Sequence, residues 1–476
     1  MEKPNVLFIV TDDQRHDTIA ALGNKEIITP HMDELAERGT AFTGAYIPGG
    51  LHAAVCMPSR AMINTGRSLF GIEGNGESIP ASHTLLGEHL RQCGWHTFGT
   101  GKWHNGPPAF TRSFDAGEQA FFSGMWDHWN VPTCRLDPTG IYDNVINFTA
   151  NFYQSKDVIQ VHCDEFHPGV HSSQLLADTT IKFIDEYEGE QPFFCYTAFL
   201  APHDPRTMPD AFRALYDSRE ITLPANVMAE YPMEFAEKRV RDETLAPYPR
   251  TEARMKAELA DYYAMITHLD HQIGRIMEAL KRTGRWENTI IILCGDNGLA
   301  LGSHALMGKQ NHFEHSIKVP LLFAGPNIPA GRRVEANVFL FDIFATLCEL
   351  LHISIPSSVE GNSFHSCFTD SKQHRQTLYY AYGDAIRSIR DGEWKLSEYL
   401  GETGKLSTLL YNVVSDPLEL HNLHREDSPI SQRLRHKLRA LSREEGDTDR
   451  AESINFWQRY DHARSLQIDE RQESSR

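Results

Sequence analysis

The chain has 476 residues and a mass of 54.0 kDa, and its 41% hydrophobic and 23% charged residues are typical of a folded globular protein. That composition excludes a disordered or collagen-like chain. The 64 acidic against 46 basic residues give a net charge of −18, which argues against a broadly basic surface, so no nucleic-acid partner is expected. No apolar run approaches the roughly 20 residues of a membrane span, so no membrane contact is expected either.

The eight cysteines indicate a reducing compartment rather than a disulfide framework. No two of them form a C-x-x-C pair, and Cys195 and Cys294 lie inside apolar runs, where a buried free thiol is usual. The first residues lead directly into an apolar run that is too short for a secretion signal. The sequence as given therefore predicts a cytoplasmic protein, or a periplasmic or secreted one if a leader has been removed.

Apolar runs alternate with helical patterns over most of the chain, and this alternation predicts a doubly wound, mostly parallel α/β sheet. Apolar spacing and capping residues predict helices at Pro30–Arg38, Thr84–Cys93, Ser172–Tyr187 and Thr251–Thr283. Short, continuous apolar runs predict buried parallel strands at Val6–Val10, Phe193–Leu200, Ile290–Cys294 and Leu321–Ala324. A further strand is predicted at Trp95–Thr100.

The pattern changes after about residue 360, where short strand-like pieces are separated by tight turns. These pieces are Leu378–Tyr382, Ala385–Ile389 and Trp394–Tyr399, followed by one helical pattern at Ser431–Leu441 and a charged tail, Asp469–Arg476, expected to fray. We therefore predict a larger domain over residues 1–360 and a C-terminal α+β subdomain over residues 361–476, built on a short antiparallel sheet.

Residues 105–170 are rich in Trp, Phe, Pro and Gly and show no clear helical or strand period. A long irregular segment within a compact protein is often a binding loop. We predict a substrate-binding insertion here.

Residues with catalytic or metal-binding chemistry follow four of the predicted strands. They are Asp12 and Asp13, Lys102 and His104, His203, and Asp296 and Asn297. Because ligands bind at the carboxyl ends of the strands in an open α/β sheet, these side chains are expected on one rim. Carboxylate and amide oxygens suit one hard cation, calcium in preference to magnesium. Either acidic pair alone is better explained by a turn or helix cap, but two pairs on one rim favour a metal site.

The most specific local pattern is Cys56-Met57-Pro58-Ser59-Arg60. One interpretation is a buried cysteine before a helix that has proline in its first turn. The other is functional: a helix beginning at Pro58 would direct the positive end of its dipole at Cys56 and favour negative charge on that side chain.

Taken together, the motifs resemble those of the formylglycine-dependent sulfatases of the alkaline-phosphatase superfamily, over nearly the whole chain. The segments that carry the resemblance are Asn5–Asp13, Thr29-Pro30, Cys56–Arg60, Thr65–Arg67, Gly101–His104, Ala201–Pro205, Gly295–Gly298, Gly308–Asn311 and Arg390–Lys395. The resemblance implies a sulfuric ester hydrolase. It also implies that a separate formylglycine-generating enzyme oxidises Cys56 to 3-oxoalanine, whose hydrate is the nucleophile.

The resemblance also implies residue roles. The implied calcium ligands are Asp12, Asp13, Asp296, Asn297 and the modified residue 56. The other implied catalytic residues are Arg60, Lys102, His104, His203 and Lys309. Among them, His203 or Lys309 would protonate the leaving oxygen, and His104 would act as the base that releases sulfate.

The stretch Gly50–Met62 is similar to that of bacterial sulfatases that act on glycosaminoglycan or algal fragments, including uronate 2-O-sulfates. The expected substrate contacts are His52, Trp126, His128 and His304, with Arg112 and Arg135 as cations for a carboxylate. The tryptophans could instead only pack the segment onto the domain. Two alternatives stay open: a phosphodiesterase or phosphonate monoester hydrolase of the same superfamily, and a non-catalytic binding protein with the same fold.

Overall fold

The computed structural model describes residues 3–474 apart from 150, 152, 154, 232, 234–239 and 371. The strands are β1 Asn5–Thr11, β2 Thr40–Phe42, β3 Ala45–Tyr46, β4 Gly49–Gly50, β5 His96–Lys102, β6 Ala116–Phe121, β7 Pro132–Thr133, β8 Val145–Phe148, β9 Ile159–His162, β10 Glu165–Phe166, β11 Phe193–Ala198, β12 Thr289–Gly295, β13 Leu321–Ala324, β14 Arg332–Val334, β15 Val338–Phe339, β16 Thr377–Tyr382, β17 Ile386–Asp391, β18 Trp394–Leu400 and β19 Leu406–Asn412. The helices are α1 Pro30–Arg38, α2 Cys56–Thr65, α3 Leu86–Gln92, α4 Pro107–Ser113, α5 Ser172–Glu186, α6 Asp210–Arg213, α7 Glu252–Arg282, α8 Glu314–Ile317, α9 Asp342–Leu350, α10 Pro429–Glu444 and α11 Ala451–Ser474.

An eight-stranded sheet forms the centre of the larger region, in the order β14-β2-β13-β12-β1-β11-β5-β6. Strands β12, β1, β11, β5 and β6 are all parallel, whereas β13 runs antiparallel to both of its neighbours. The mostly parallel sheet is confirmed, but the prediction that Leu321–Ala324 is a parallel strand is wrong. A short buried apolar run has the same composition in either direction, so the residues alone could not give the direction.

Both faces of this sheet are covered, which explains the unbroken apolar runs. In β1, Val6, Phe8 and Val10 pack into one buried cluster with residues of α2, α3 and α9. The alternate residues, Leu7 and Ile9, pack into a second cluster with α1, α5 and α7. Because successive side chains of a strand point to opposite faces, a strand between two helical layers must be apolar throughout. The doubly wound architecture is confirmed.

A second sheet of five strands forms the C-terminal part, in the order β19-β18-β17-β16-β4. Its pairs are antiparallel except β4, which joins β16 in parallel from far earlier in the chain. The smaller antiparallel-sheet region is therefore confirmed. The division at residue 360 stays a prediction, since β4 carries the C-terminal sheet to within six residues of Cys56.

Three local expectations need correction. The sequence did not predict β19 or α11. Helix α11 continues to Ser474, where a frayed tail was expected, and the last two residues lie outside the described part. The segment 105–170 is also not purely irregular, because it contains α4 and β6, the edge strand of the main sheet. Among the described residues, no helix combines the length and apolar character that a membrane crossing requires.

Candidate active site

The sheet order brings the four predicted strand ends together. Strands β12, β1, β11 and β5 are direct neighbours, and their carboxyl ends lead to the acidic pairs, to His203 and to Lys102 with His104. Two backbone hydrogen bonds hold this rim: Asp12 N donates to Ala201 O at 3.1 Å, and Asp296 N donates to Thr11 O at 2.9 Å. The sequence-based expectation of a shared rim is therefore met by adjacent parallel strands.

Cys56 lies at the centre of the rim, at the first residue of α2. Its Sγ is 3.6 Å from Lys102 Nζ and 3.5 Å from His104 Nδ1, and the side chain is buried. The helix begins at Cys56 itself, two residues before the predicted start at Pro58. Burial raises the pKa of the Cys56 thiol. Burial outweighs the nearby cations Lys102 and Lys309, so the neutral thiol is favoured at Cys56, contrary to the expectation of a negatively charged side chain.

Arg60 lies one turn further along α2 and is completely buried. Its Nε donates to Asp296 Oδ2 at 2.8 Å and its Nη2 to Asp12 Oδ2 at 3.3 Å. A third bond, from Nη1 to the carbonyl oxygen of Lys102 at 2.6 Å, ties α2 to β5. Arg60 thus ties α2 to two strand ends and places a positive charge beside both buried carboxylates.

The carboxylates of the rim divide into different electrostatic environments. Although burial opposes it, Lys102 and Arg60 hold the pKa of Asp12 well below its usual range, and Lys102 Nζ is ion-paired with Asp12. Burial, with the adjacent charge of Asp12, raises the pKa of Asp296 to about 6. Lys309 Nζ lies 2.5 Å from Asp13 Oδ1, and the charge of Asp13 keeps the pKa of Lys309 well above its usual value despite burial.

The oxygens of the rim fit a hard cation. Among the described residues, Asp12 Oδ1 and Asn297 Oδ1 are buried and accept no hydrogen bond. Ligand atoms of Asp12, Cys56 and Asp296 lie within 4.8 Å of one another, as do those of Asp12, Asp13 and His203. Buried oxygens without partners are costly, and a bound cation would satisfy them. The predicted ligand set therefore fits a metal ion, while calcium as its identity stays a prediction.

The two site histidines are held differently. His104 adopts a left-handed backbone conformation with φ of 67°, and burial followed by the charge of Lys102 lowers the pKa of His104 well below its usual value. His203 places Nδ1 2.8 Å from the carbonyl oxygen of Asp204, so Nδ1–H is the donor. Its Nε2 faces Asp13 Oδ2 at 3.7 Å. His104 is therefore a neutral imidazole beside Cys56, and His203 directs Nε2 towards Asp13.

Two expected substrate contacts are wrong. His128 is 1% exposed, and its ring nitrogens bind Ser172 Oγ at 2.7 Å and the carbonyl oxygen of His203 at 3.0 Å. His304 is also 1% exposed, stacks on Phe313 at 3.8 Å, and binds His315 Nε2 and the carbonyl oxygen of Glu419. Neither imidazole has a nitrogen left for a substrate.

The other expected contacts stay predictions or change role. His52 is exposed and lies 3.9 Å from Glu452 of α11. Trp126 is half-buried against Phe148, with ring centroids 4.7 Å apart. Arg112 is occupied by Glu88 and by the carbonyl oxygens of 79, 80 and 83, so it is structural. Arg135 is largely exposed and lies 3.6 Å from Glu165.

The sequence did not predict several residues that hydrogen-bond the backbone of the rim or of the loop that carries Lys309. Tyr262 Oη donates to the backbone oxygen of Asp13 at 2.5 Å and accepts from Arg15 N at 2.9 Å. Glu243 accepts hydrogen bonds from Met307 N and Gly308 N and so holds the loop that carries Lys309. Tyr262 falls at an apolar position of α7, so its pattern predicts only core packing; no sequence signal separates the two roles.

Comparison with known proteins agrees with this geometry. A sequence model of the family described as Sulfatase matches residues 4–353, and one described as N-sulphoglucosamine sulphohydrolase, C-terminal, matches residues 302–444. An arylsulfatase of Clostridium perfringens is 28% identical over 94% of this chain and 96% of its own length. An N-acetylglucosamine-6-O-sulfatase of Bacteroides thetaiotaomicron is 24% identical over 89% of this chain and 83% of its own.

A solved structure in complex with its substrate D-glucosamine-2-N,6-O-disulfate superposes with a TM-score of 0.75. It is 20% identical and covers 94% of this chain and 99% of its own, so it shows the shared fold. The family match spans more than half of the chain and contains every strand end that builds the rim. The chain belongs to the sulfatase family of the alkaline-phosphatase superfamily.

Proposed function

We propose that the protein hydrolyses sulfate esters of carbohydrates, with residue 56 in its formylglycine form as the nucleophile. The observation that carries the proposal is the position of Cys56, whose Sγ lies between Lys102 Nζ and His104 Nδ1 beside the carboxylates of the rim. The raised pKa makes a thiolate nucleophile unfavourable here. An oxygen nucleophile made from the same side chain would meet both a cation and a neutral base.

The proposed modification and metal supply chemistry that the unmodified chain lacks. As a hydrate, residue 56 would carry two hydroxyl groups on one carbon, one to attack sulfur and one to allow sulfate to leave by elimination, which a serine ester does not permit. The proposed calcium ligands are Asp12, Asp13, Asp296, Asn297 and residue 56. The ion would act as a Lewis acid on the sulfate oxygens.

The chain's own residues would then divide the proton transfers. Lys102 and Lys309 hold positive charge for the sulfate oxygens. Because His203 Nδ1–H donates to Asp204 O, the proton delivered to the leaving oxygen is a second one carried on Nε2, and its transfer leaves the ring neutral. His104 Nδ1 lies toward residue 56, and its low pKa keeps it free to accept the proton of the second hydroxyl as sulfate departs.

The carbohydrate part of the proposal is supported by relatives. A curated relative is named for N-acetylglucosamine 6-O-sulfate, and the superposed structure holds a sulfated glucosamine. Within this class the proposal includes glycosaminoglycan and algal fragments, with uronate 2-O-sulfates among the first to assay. A panel of sulfated mono- and disaccharides tests the class, and activity on aryl sulfates with none on any sulfated sugar would contradict it.

The nucleophile is tested by mass and by mutation. In protein co-expressed with a maturation enzyme, residue 56 should be lighter than cysteine by the mass difference to an aldehyde. Cys56→Ala should retain its melting temperature and fall below about 1% of wild-type turnover, because the methyl group of alanine cannot form a sulfate ester. Cys294→Ala, at a buried cysteine of β12, is the matched control and should keep its activity.

Residual turnover well above that level in Cys56→Ala would contradict the nucleophile. The same preparations, assayed with an aryl sulfate and an aryl phosphodiester, separate the sulfatase from a phosphodiesterase or phosphonate monoester hydrolase. Preferred hydrolysis of the phosphodiester would favour those enzymes.

A further inference from the structure

Two buried histidines hydrogen-bond the backbone of the loop that carries His203. His128 Nε2 lies 3.0 Å from the carbonyl oxygen of His203, and His171 Nε2 lies 2.9 Å from that of Thr207. The two imidazoles stack, with centroids 5.2 Å apart and planes within 9°. His128 and His171 therefore contact the two ends of the stretch 203–207, but only His128 binds His203, whose side chain faces the rim.

The hydrogen-bond partners fix the protonation of His128. A carbonyl oxygen can only accept, so Nε2 carries the hydrogen; Nδ1 is then an acceptor, and Ser172 Oγ, at 2.7 Å, donates to it. Burial lowers the pKa of His128 to about 4, so this neutral tautomer persists at neutral pH. A single tautomer with both nitrogens engaged gives His203 a rigid backbone support.

Two consecutive carbonyl groups determine how His203 points. His128 holds the carbonyl of His203 itself, and the His203 ring donates through Nδ1 to the next carbonyl, that of Asp204. A shift of the backbone at residues 203 and 204 would move the acceptor of Nδ1, and with it the direction of Nε2. The support of one carbonyl therefore controls where the proposed proton donor lies.

We propose that His128 is a positioning residue for His203, holding its backbone so that Nε2 reaches the leaving oxygen of the sulfate ester. This inference rests on the proposed function of His203 as proton donor. A displaced donor matters most when the leaving group is a sugar alkoxide, which needs a proton. It matters little for nitrophenolate, which leaves without one.

His128→Leu and His128→Gln form the central test. Leucine keeps the approximate volume but removes the donor, whereas the terminal amide of glutamine can place an N–H near the position of Nε2. On an alkyl or sugar sulfate, His128→Leu should lower kcat at least about thirtyfold, since misplacement by about an ångström costs this order of rate. Nitrophenyl sulfate should lose less than about threefold, and His128→Gln should restore most of the loss.

His171→Leu is the matched control, because His171 is equally buried and stacks on the same ring but binds Thr207. It should lower the melting temperature as His128→Leu does and leave the ratio of the two activities unchanged. If His128→Leu does not fold, Ser172→Ala removes only the donor to Nδ1 and should move the ratio in the same direction by a smaller factor.

Equal losses on both substrates, or the same ratio change in His171→Leu, would overturn the positioning role. An unchanged ratio in His128→Leu would do so as well. These outcomes differ from failure of the proposed function, in which the matured wild-type protein itself hydrolyses no sulfate ester.

Discussion

Two buried arginines, Arg60 at the rim and Arg387 in the five-stranded sheet, have opposite surroundings. Arg387 binds one carboxylate, that of Asp447, through Nε at 2.5 Å and Nη2 at 3.0 Å. Trp457 Nε1 also donates to Asp447 at 3.2 Å. Arg60 divides its bonds between Asp296 and Asp12. The first pair is bidentate and complete, whereas the second leaves Asp12 Oδ1 without a hydrogen bond among the described residues.

Net charge does not separate these regions. At the rim three carboxylates face three cations, Arg60, Lys102 and Lys309, so charge alone requires no further ion. The difference lies in the buried oxygens of the rim that accept no hydrogen bond, which the proposed cation would satisfy. If a cation and then an anionic sulfate ester bind, their charges largely offset each other and the net charge of the rim changes little.

The largest expected effect comes from removing the proposed ion. Asp296→Asn, or exhaustive chelation, should lower turnover at least about a thousandfold, equivalent to about 4 kcal/mol of transition-state stabilisation. Calcium added to the chelated protein should restore activity and raise the melting temperature, because an ion that binds only the folded state stabilises it. Parallel activity, metal-content and melting measurements check this, and full activity after chelation would contradict the metal site.

The calcium effect should also depend on pH. A carboxyl group with a pKa of about 6 keeps its proton below that pH, and a metal must displace it. The increase in melting temperature caused by calcium should therefore be larger at pH 7.5 than at pH 5. An increase that is larger at pH 5 would show that Asp296 does not bind the ion as a carboxylate.

The C-terminal pair should behave in the opposite way. Asp447→Leu leaves the guanidinium of Arg387 buried without its partner, which should lower the free energy of unfolding by about 3–5 kcal/mol. Turnover per folded molecule and calcium affinity should stay near wild type, because Arg387 lies in the other sheet and Asp447 lies between α10 and α11. Urea unfolding measures the change in the free energy of unfolding. If Asp447→Leu lost calcium binding at unchanged stability, the distinction between a structural pair at Arg387 and a ligand-binding pair at Arg60 would be contradicted.

The sequence predicted the rim better than its surroundings, for a physical reason. Asp12 and Asp296 follow apolar runs that are unambiguous strands, and parallel strands align their ends, so the residues alone locate the site. The direction of β13 and the helix α11 could not be found, because apolar composition does not encode strand direction and α11 has little amphipathic pattern.

The wrong substrate contacts have a related cause. His128 and His304 lie in stretches without a period, so nothing in the residues separates a histidine that faces a pocket from one that is buried and fully hydrogen-bonded. The left-handed backbone of His104 is likewise a tertiary property, imposed by the surrounding structure on a residue that does not favour it.

The smallest expected effect concerns Trp126, the expected sugar contact that the structure leaves half-buried. A Cβ added at Gly124, two residues before it, would lie only 3.0 Å from His104 Nε2, so this stretch passes beside the rim. An indole here can cover a sugar ring, whereas the proposed sulfate contacts, Lys102 and Lys309, are buried. Trp126→Ala should therefore weaken hydrolysis of a sulfated disaccharide about tenfold, or about 1.4 kcal/mol, and leave a small aryl sulfate nearly unaffected.

Phe148 offers the control for this last prediction, because it packs against the same indole. If Trp126 acts by contact with the sugar, Phe148→Leu should affect the disaccharide less than Trp126→Ala does, while both variants lower the melting temperature slightly. If Trp126 only packs the segment onto the domain, both substrates should lose activity together and in proportion to stability. The ratio of kcat/KM for the two substrates, measured together with the melting temperature, distinguishes a residue that contacts the sugar from one that only packs in the core.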